Sequence, residues 1–148
     1  MLYDKYMHGE NQMGKRAYFK KYLAGASVKA EPFSPTPRQL SRAYNIINHC
    51  LFDDQLRRPP LQIKYMTDAY GICYGTLDDG KPPIFDPTCD RIVMNTKFKS
   101  KRQFIEVHAH EMVHQYQVEF QNRIDHGKTF WAWKDKFADY NIKLRLQG

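Results

Sequence analysis

The stretch HAHEMVH constrains the fold most strongly, because it places three histidines and one glutamate within residues 108–114. Ser100 and Gln103 have the spacing of a capping box, which predicts that a helix begins just upstream. An apolar stripe at helical spacing predicts the buried face of this helix, and it consists of Ile105, Ala109, Met112, Tyr116 and Phe120. The chain is therefore expected to fold around one long helix that carries these histidines.

His110 and His114 are four residues apart, so their side chains lie one turn apart on one side of the predicted helix. Two imidazoles at this spacing can bind the same metal ion. Glu111 lies about 100° around the helix from His110, where its carboxylate can reach a water molecule at the metal without displacing it. This H-E-x-x-H arrangement is typical of zincins and predicts Glu111 as a general base.

His108 cannot share such an ion, because it points roughly 160° away from His110 on a helix of 3.6 residues per turn. We expect a structural histidine, or one that supports the ligands. The alternative is a place at the rim of the cleft, on the side of Glu111.

A catalytic zinc site needs three protein ligands and one open position, so a third ligand is required. The metzincin pattern is excluded, because Phe120 stands where that pattern needs histidine. Glu119 is predicted to face away from the site. His126 follows a predicted helix end near residues 121–122, and a chain that turns back there brings it over the two helical histidines. Asp125 is the rival ligand.

The elements upstream predict an α+β fold. A helix is expected from Thr36, with Pro37 in its first turn and an apolar face formed by Leu40, Tyr44, Ile47 and Leu51. Strands are predicted at residues 61–66, 69–77 and 91–95. A short helix is expected at 15–23, and a second short helix from about Lys128. The predicted fold is a minimal zincin-like domain, in which a small antiparallel sheet packs with helices.

Composition limits the cellular setting. Three cysteines without a CxxC pair indicate neither a disulfide framework nor a cysteine zinc site, and they favour a reducing cytoplasm. No apolar run is long enough to span a membrane, and the N-terminus is too polar for a signal peptide. The net charge of +7 favours a polyanionic partner such as nucleic acid, although a basic protein without such a partner fits equally well.

Several stretches in this order resemble the SprT-like zinc metalloproteases, the family of the DNA–protein crosslink protease Spartan. They cover about residues 38–138 and read YNIINHCLFDDQLRRPPLQIKY, AYGICYGTL, RIVMNTKF, HEMVHQYQ and HGKTFWAW. The resemblance implies one Zn²⁺ per chain, with His110, His114 and His126 as ligands and Glu111 as general base. It also implies an SprT-like protease domain at 36–148. The Lys-rich composition upstream and the prolines Pro32 and Pro35 predict a basic, partly flexible N-terminal extension at residues 1–35.

Two features of known members are not matched, namely the C-terminal zinc ribbon of bacterial proteins and the ubiquitin- and clamp-binding tails of eukaryotic ones. What recruits this protein is therefore open. We expect a monomeric protease in the cytoplasm of a bacterium or a phage-infected cell, in contact with the nucleoid and acting in DNA repair.

A zincin substrate is expected to lie extended along an edge strand before the active-site helix. The second strand is the candidate, with Ile72 and Tyr74 as substrate-binding residues. Tyr74 or Tyr70 is also a candidate donor to the developing oxyanion, and the alternative is that both tyrosines pack on the sheet.

Single-stranded DNA is the expected second partner, because basic and aromatic residues interleave in one segment and basic residues cluster in another. The N-terminal segment has Tyr18, Phe19 and Tyr22 for stacking, and its basic residues are Lys15, Arg16, Lys20 and Lys21. The second segment precedes the active-site helix and contributes Lys97, Lys99, Lys101 and Arg102. The alternative is that both segments are solvated basic surface.

Two other functions compete with a protease. One is a non-proteolytic, zinc-stabilised DNA-binding module, and the other is a phage or mobile-element protein that acts on a host factor. Glu111 argues against the module, because a purely structural zinc site gives no reason for a carboxylate that is not a ligand.

Overall fold

A computed structural model describes residues 12–26 and 31–146. In chain order its elements are α1 (Gln12–Ala24), α2 (Pro37–Phe52), β1 (Leu61–Ile63), β2 (Gly71–Thr76), β3 (Thr88–Met94), α3 (Lys101–Gln121), α4 (Lys128–Trp131) and α5 (Lys134–Asp139). The α+β class is therefore confirmed. Among the described helices, none is both long and apolar enough to cross a membrane.

The three strands form one mixed sheet in the order β1-β3-β2. Strand β3 runs parallel to β1, with Ile92 opposite Leu61, and antiparallel to β2, with Val93 opposite Ile72. The prediction of a wholly antiparallel sheet was wrong. Strand β3 carries three consecutive buried residues, so it occupies the centre, and β1 and β2 flank it without pairing with each other.

Helix α2 begins as the sequence predicts. The side chain of Thr36 accepts a hydrogen bond from the Gln39 backbone, and Gln39 returns one to the Thr36 backbone. This capping box satisfies two donors that the helix itself leaves unpaired, while Pro37 needs no partner in the first turn. The apolar face of α2 then packs against α3, which fixes the orientation of the long helix.

Helix α3 is the centre of the molecule, and every residue from Phe104 to Gln115 is buried. Its N-terminus is capped by Ser100, whose hydroxyl accepts from the Gln103 backbone at 3.0 Å. The predicted apolar face is correct except at its end, because Phe120 is 52% exposed. This ring stacks on Tyr116 at 4.7 Å in the last turn of the helix and not in the core.

Helix α1 packs onto the same core, since Phe19 is fully buried and its ring contacts that of Tyr140 edge-on at 5.6 Å. The helix is longer than the predicted 15–23. The domain boundary at residue 35 remains a prediction, and part of the extension lies outside the described residues.

Candidate metal centre

Three histidines converge at the C-terminal half of α3. The Nε2 atom of His114 lies 3.2 Å from that of His110 and 3.2 Å from that of His126, and the remaining pair is 3.3 Å apart. Asn122 makes the convergence possible by ending α3 in a left-handed conformation. Its side chain exchanges two hydrogen bonds with the backbone of Asp78, which fixes the point where the chain turns back.

Hydrogen bonding determines which nitrogen of each helical histidine carries the proton. His110 Nδ1 lies 2.8 Å from the carbonyl oxygen of Arg145, and His114 Nδ1 lies 2.8 Å from the Oε1 of Gln117. Because both oxygens can only accept, both Nδ1 atoms must donate a proton. In each neutral ring the Nε2 atom then carries a free lone pair. Two facing lone pairs cannot hydrogen-bond to each other, and a cation between them removes their repulsion.

The nitrogen separations also fit a metal. Three nitrogens at 2.0–2.1 Å from a tetrahedral ion lie about 3.3 Å from one another, which matches the observed distances. Burial lowers the pKa of His110 to about 3, and the neighbouring His114 adds to this effect. Burial also lowers the pKa of His114. Both rings are therefore neutral at physiological pH, as metal ligands must be.

Gln117 ties the loop that carries His126 to helix α3. Its amide nitrogen donates to the hydroxyl of Thr129 at 3.0 Å, while its oxygen holds His114. Asp125, the rival ligand, is occupied in the same turn, where its Oδ1 accepts from the Gly127 backbone at 2.9 Å. This N–H holds the pKa of Asp125 below its usual range. Asp125 thus shapes the turn and lies outside the histidine group.

Phe130 forms the floor of the site. Its fully buried ring has its centroid 4.8 Å from His110, 5.1 Å from His114 and 4.8 Å from His126. An apolar ring against all three imidazoles keeps water away from their inner side. The open side therefore faces a cleft of about 670 Å³, which is bounded by residues 66–73 and by Leu146.

Glu111 lies at the inner wall of this cleft and is 3% exposed. Its Oε2 is 3.9 Å from His110 Nε2, too far for a hydrogen bond but close enough to serve the same small molecule. Burial raises the pKa of Glu111 to about 8, against the opposing effect of the backbone N–H of Cys73. A carboxyl group with this pKa can take up and release a proton near neutral pH.

His108 lies in the core and not at the rim of the cleft. It is completely buried, with its ring between those of Tyr44 and Phe104, and its Nε2 lies 3.3 Å from the carbonyl oxygen of Leu40. Burial lowers its pKa to about 4. The structural role predicted for His108 agrees with this position.

Strand β2 borders the cleft, and alternate residues on it face opposite ways. Gly71 and Gly75 face α3, since a Cβ atom at Gly71 would lie 2.9 Å from Val107 and one at Gly75 would lie 2.6 Å from Val118. Ile72 therefore points to the other face, as does Tyr74, whose ring lies 4.0 Å beneath the guanidinium of Arg91. Ile72 still borders the cleft at the metal site, whereas Tyr74 does not line it.

Tyr70 lines the cleft, but its ring also stacks on Phe98 at 5.6 Å. Tyr74 does not line the cleft. A role of either tyrosine at the oxyanion remains a prediction. The roles predicted for Ile72 and Tyr74 in substrate binding remain predictions.

The two predicted basic segments meet at one place. Lys101 Nζ and Arg42 Cζ lie 5.8 and 6.0 Å from the ring centroid of Tyr22, and with Lys21 they border a pocket of about 240 Å³. Other predicted residues are engaged elsewhere. Lys15 pairs with Asp53 at 2.7 Å, and Arg102 contacts Glu106 and the carbonyl of Asn141.

The remaining basic residues predicted to bind DNA are exposed, namely Arg16, Lys20, Lys97 and Lys99. The expectation that Phe19 stacks on bases is wrong, because its ring is fully buried, while Tyr18 and Tyr22 are half-buried.

Sequence reasoning missed Gln117 and Arg145, which hydrogen-bond to two of the histidines. It also missed Glu106, which binds the segment that carries Arg145. Helical spacing could have indicated two of them, because Glu106 precedes His110 by four residues and Gln117 follows His114 by three. Arg145 left no such signal, since it acts through its backbone carbonyl.

No protein-family model matches the chain, and no curated protein matches it. The geometry by itself establishes a group of three histidines that could hold a metal ion. This group is compatible with a zincin-like site, a class much broader than the SprT-like family.

Proposed function

We propose that the protein is a zinc-dependent endopeptidase of the SprT-like type, which associates with DNA and cleaves DNA-bound or crosslinked proteins. The observation that carries this proposal is the convergence of three histidine nitrogens beside a buried carboxyl group. A purely structural site is usually closed by a fourth ligand, whereas this one opens onto a cleft. An open position next to a proton acceptor is the arrangement that hydrolysis needs.

His110, His114 and His126 would hold the ion through their Nε2 atoms. Imidazoles suit several transition metals, and three protein ligands with an open position favour catalytic zinc. When bound, zinc supplies Lewis acidity to a peptide carbonyl and lowers the pKa of a water molecule to about 7. The sequence stretches that resemble those of SprT-like proteases also support zinc.

Glu111 moves the proton in this proposal. Its carboxylate takes a proton from the attacking water at one oxygen and later gives it to the leaving amine. The backbone N–H of Cys73 and the packing of Gly71 against Glu111 hold the carboxyl group in place. With only 3% exposure it meets little competing solvent, so the proton passes between substrate and enzyme.

Strand β2 is the proposed substrate-binding edge. It pairs with β3 along one side only, and no described strand pairs with its other side. An extended peptide can add to such an edge through backbone hydrogen bonds, which bind many sequences with little selectivity. Gly71 and Cys73 place this edge directly beside the metal centre, so an added peptide would pass over Glu111.

DNA association is supported by the cluster of Lys21, Arg42 and Lys101. No described carboxylate lies within 4 Å of these three cations, whereas Lys15 and Arg102 do have acidic partners. Unneutralised cations at one pocket attract phosphate groups. Because Lys101 is in the first turn of α3, bound DNA would lie at the opposite end of the helix from the histidines.

The deciding experiment is proteolysis of a DNA-binding protein substrate by zinc-loaded protein, with and without single-stranded DNA. Wild type is compared with Glu111→Gln and with Glu119→Gln, which makes the same change on the same helix away from the site. We expect cleavage by wild type and Glu119→Gln only. Cleavage by none of them, with zinc bound in all, would favour the non-proteolytic DNA-binding module.

A further inference from the structure

The segment at residues 141–146 runs beside α3 and takes part in the metal centre. The carbonyl oxygen of Arg145 accepts the Nδ1 proton of His110 at 2.8 Å. This bond determines both the tautomer and the ring orientation of His110. One of the three metal ligands is therefore oriented by a segment that lies 35 residues further along the chain.

Glu106 holds this segment in place. Its side chain is 5% exposed, and its two oxygens are both used. Oε2 accepts from the backbone N–H of Lys143 at 2.8 Å, and Oε1 accepts from the guanidinium of Arg145 at 3.3 Å. Thus one carboxylate contacts the segment at two points on either side of Leu144.

Glu106 and His110 are four residues apart, so they lie on the same face of α3, one turn from each other. The Arg145 residue bridges them, since its guanidinium binds Glu106 while its carbonyl binds His110. Arg102, one turn earlier, adds a contact to the carbonyl of Asn141. Buried Leu144 anchors the segment between these polar contacts.

We propose that Glu106 is a positioning residue for the metal centre, acting through the backbone of Arg145 to hold His110 in its metal-binding tautomer. The inference rests on the metal site of the proposed function. Without Glu106 the segment loses the carboxylate that ties Lys143 and Arg145 to α3. The Arg145 carbonyl then no longer stays fixed at His110 Nδ1, and the ring is free to rotate or to change tautomer.

Zinc affinity of purified protein, measured by competition with a chromophoric chelator, tests this role. Loss of partners that orient a ligand typically weakens metal binding by about 10–100-fold, and we expect a loss in this range for Glu106→Ala. Glu106→Gln should lose less zinc affinity than Glu106→Ala, because the amide oxygen of glutamine can still accept a hydrogen bond from the Lys143 backbone. Arg145→Ala should also lose less zinc affinity than Glu106→Ala, since it keeps the backbone carbonyl that binds His110.

Glu119→Gln is the matched control, because it removes one negative charge from α3 away from the segment. Circular dichroism establishes that each variant is folded, and the 55% exposed side chain of Arg145 makes Arg145→Ala the variant least prone to misfolding. Wild-type affinity in folded Glu106→Ala and Arg145→Ala would overturn the inference. Absence of zinc binding in wild type would instead overturn the proposed function, and the inference with it.

Cobalt(II) gives a readout that a merely structural role would not change. In the cobalt-loaded protein the paramagnetically shifted Nδ1 proton of His110 should be protected from solvent exchange by the Arg145 carbonyl. We expect this signal to broaden or vanish in Glu106→Ala and to persist in Glu119→Gln. A sharp, protected signal in Glu106→Ala would contradict the positioning role even if the variant were less stable.

Discussion

Gly71 and Glu111 touch so closely that no side chain fits between them. A Cβ atom at Gly71 would lie 3.0 Å from the Cγ of Glu111, 2.9 Å from Val107 and 3.1 Å from the sulfur of Met94. Strand β2 and the candidate general base are thus packed as one unit. The edge that is proposed to bind substrate and the carboxylate that is proposed to act on it cannot move independently.

Gly71→Ala is therefore expected to damage both stability and cleavage. The added methyl group must displace Val107 or Glu111, and overpacking of this kind costs about 1–3 kcal/mol of unfolding free energy. Chemical denaturation measures the first effect, and the rate of peptide cleavage measures the second. Gly25→Ala is the control, because a Cβ there meets nothing within 4 Å. Equal stability of the Gly71 variant and wild type would show that β2 is not tightly packed on α3.

His126→Ala is expected to weaken zinc binding by roughly 10-fold or more, since it removes one of three ligands. Purified wild type should carry about one zinc per chain, which elemental analysis measures. Asp125→Asn should keep wild-type affinity, because that carboxylate serves the turn and not the metal. If His126→Ala bound zinc as tightly as wild type, His126 would not be a zinc ligand.

The local geometry of this site could be predicted because α3 is regular. Helical spacing placed His110, His114 and Glu111 correctly, and the helix end at Asn122 could be predicted to turn the chain back towards His126. A three-residue pattern on one helix depends only on the rise and rotation per residue. The same regularity explains why His108 could be excluded from the metal ligands.

The predictions from sequence that failed concern contacts between segments that are distant along the chain. Strand alternation predicts a strand but not its neighbour, so the parallel pairing of β1 with β3 left no trace in the sequence. The burial of Phe19 depends on Tyr140, and the orientation of His110 depends on a backbone carbonyl at Arg145. No local pattern encodes such contacts, because they arise only when the chain has folded.

Glu111→Gln is expected to retain zinc and fold but to lose cleavage by about 10²–10⁴-fold, the usual contribution of a general base. The amide has nearly the same shape and leaves all three histidines untouched, but it cannot accept the proton of water. Single-turnover cleavage assays and zinc analysis on the same preparation measure both properties. Cleavage at the wild-type rate would mean that another group accepts the proton.

Binding to single-stranded DNA is expected to depend steeply on salt, because phosphate contacts release counterions. Each contact contributes about −0.7 to the slope of log affinity against log salt, so loss of Lys21, Arg42 and Lys101 should flatten the slope by roughly 2 units. Fluorescence anisotropy of a labelled oligonucleotide, measured across a salt series, gives this slope. Duplex DNA should bind less well, because it exposes no base faces to Tyr18 and Tyr22.

The comparison variant for this experiment removes three exposed lysines from other surfaces, namely Lys64, Lys81 and Lys134. Both triple variants lower the net charge equally. A difference between their slopes would therefore reflect where the lysines and the arginine lie and not the total charge. We expect the comparison variant to keep nearly the wild-type slope, and both variants to keep their zinc. Equal slopes for the two variants would show that DNA binding depends only on the overall charge of the protein. Absence of any binding at low salt would remove DNA association from the proposed function.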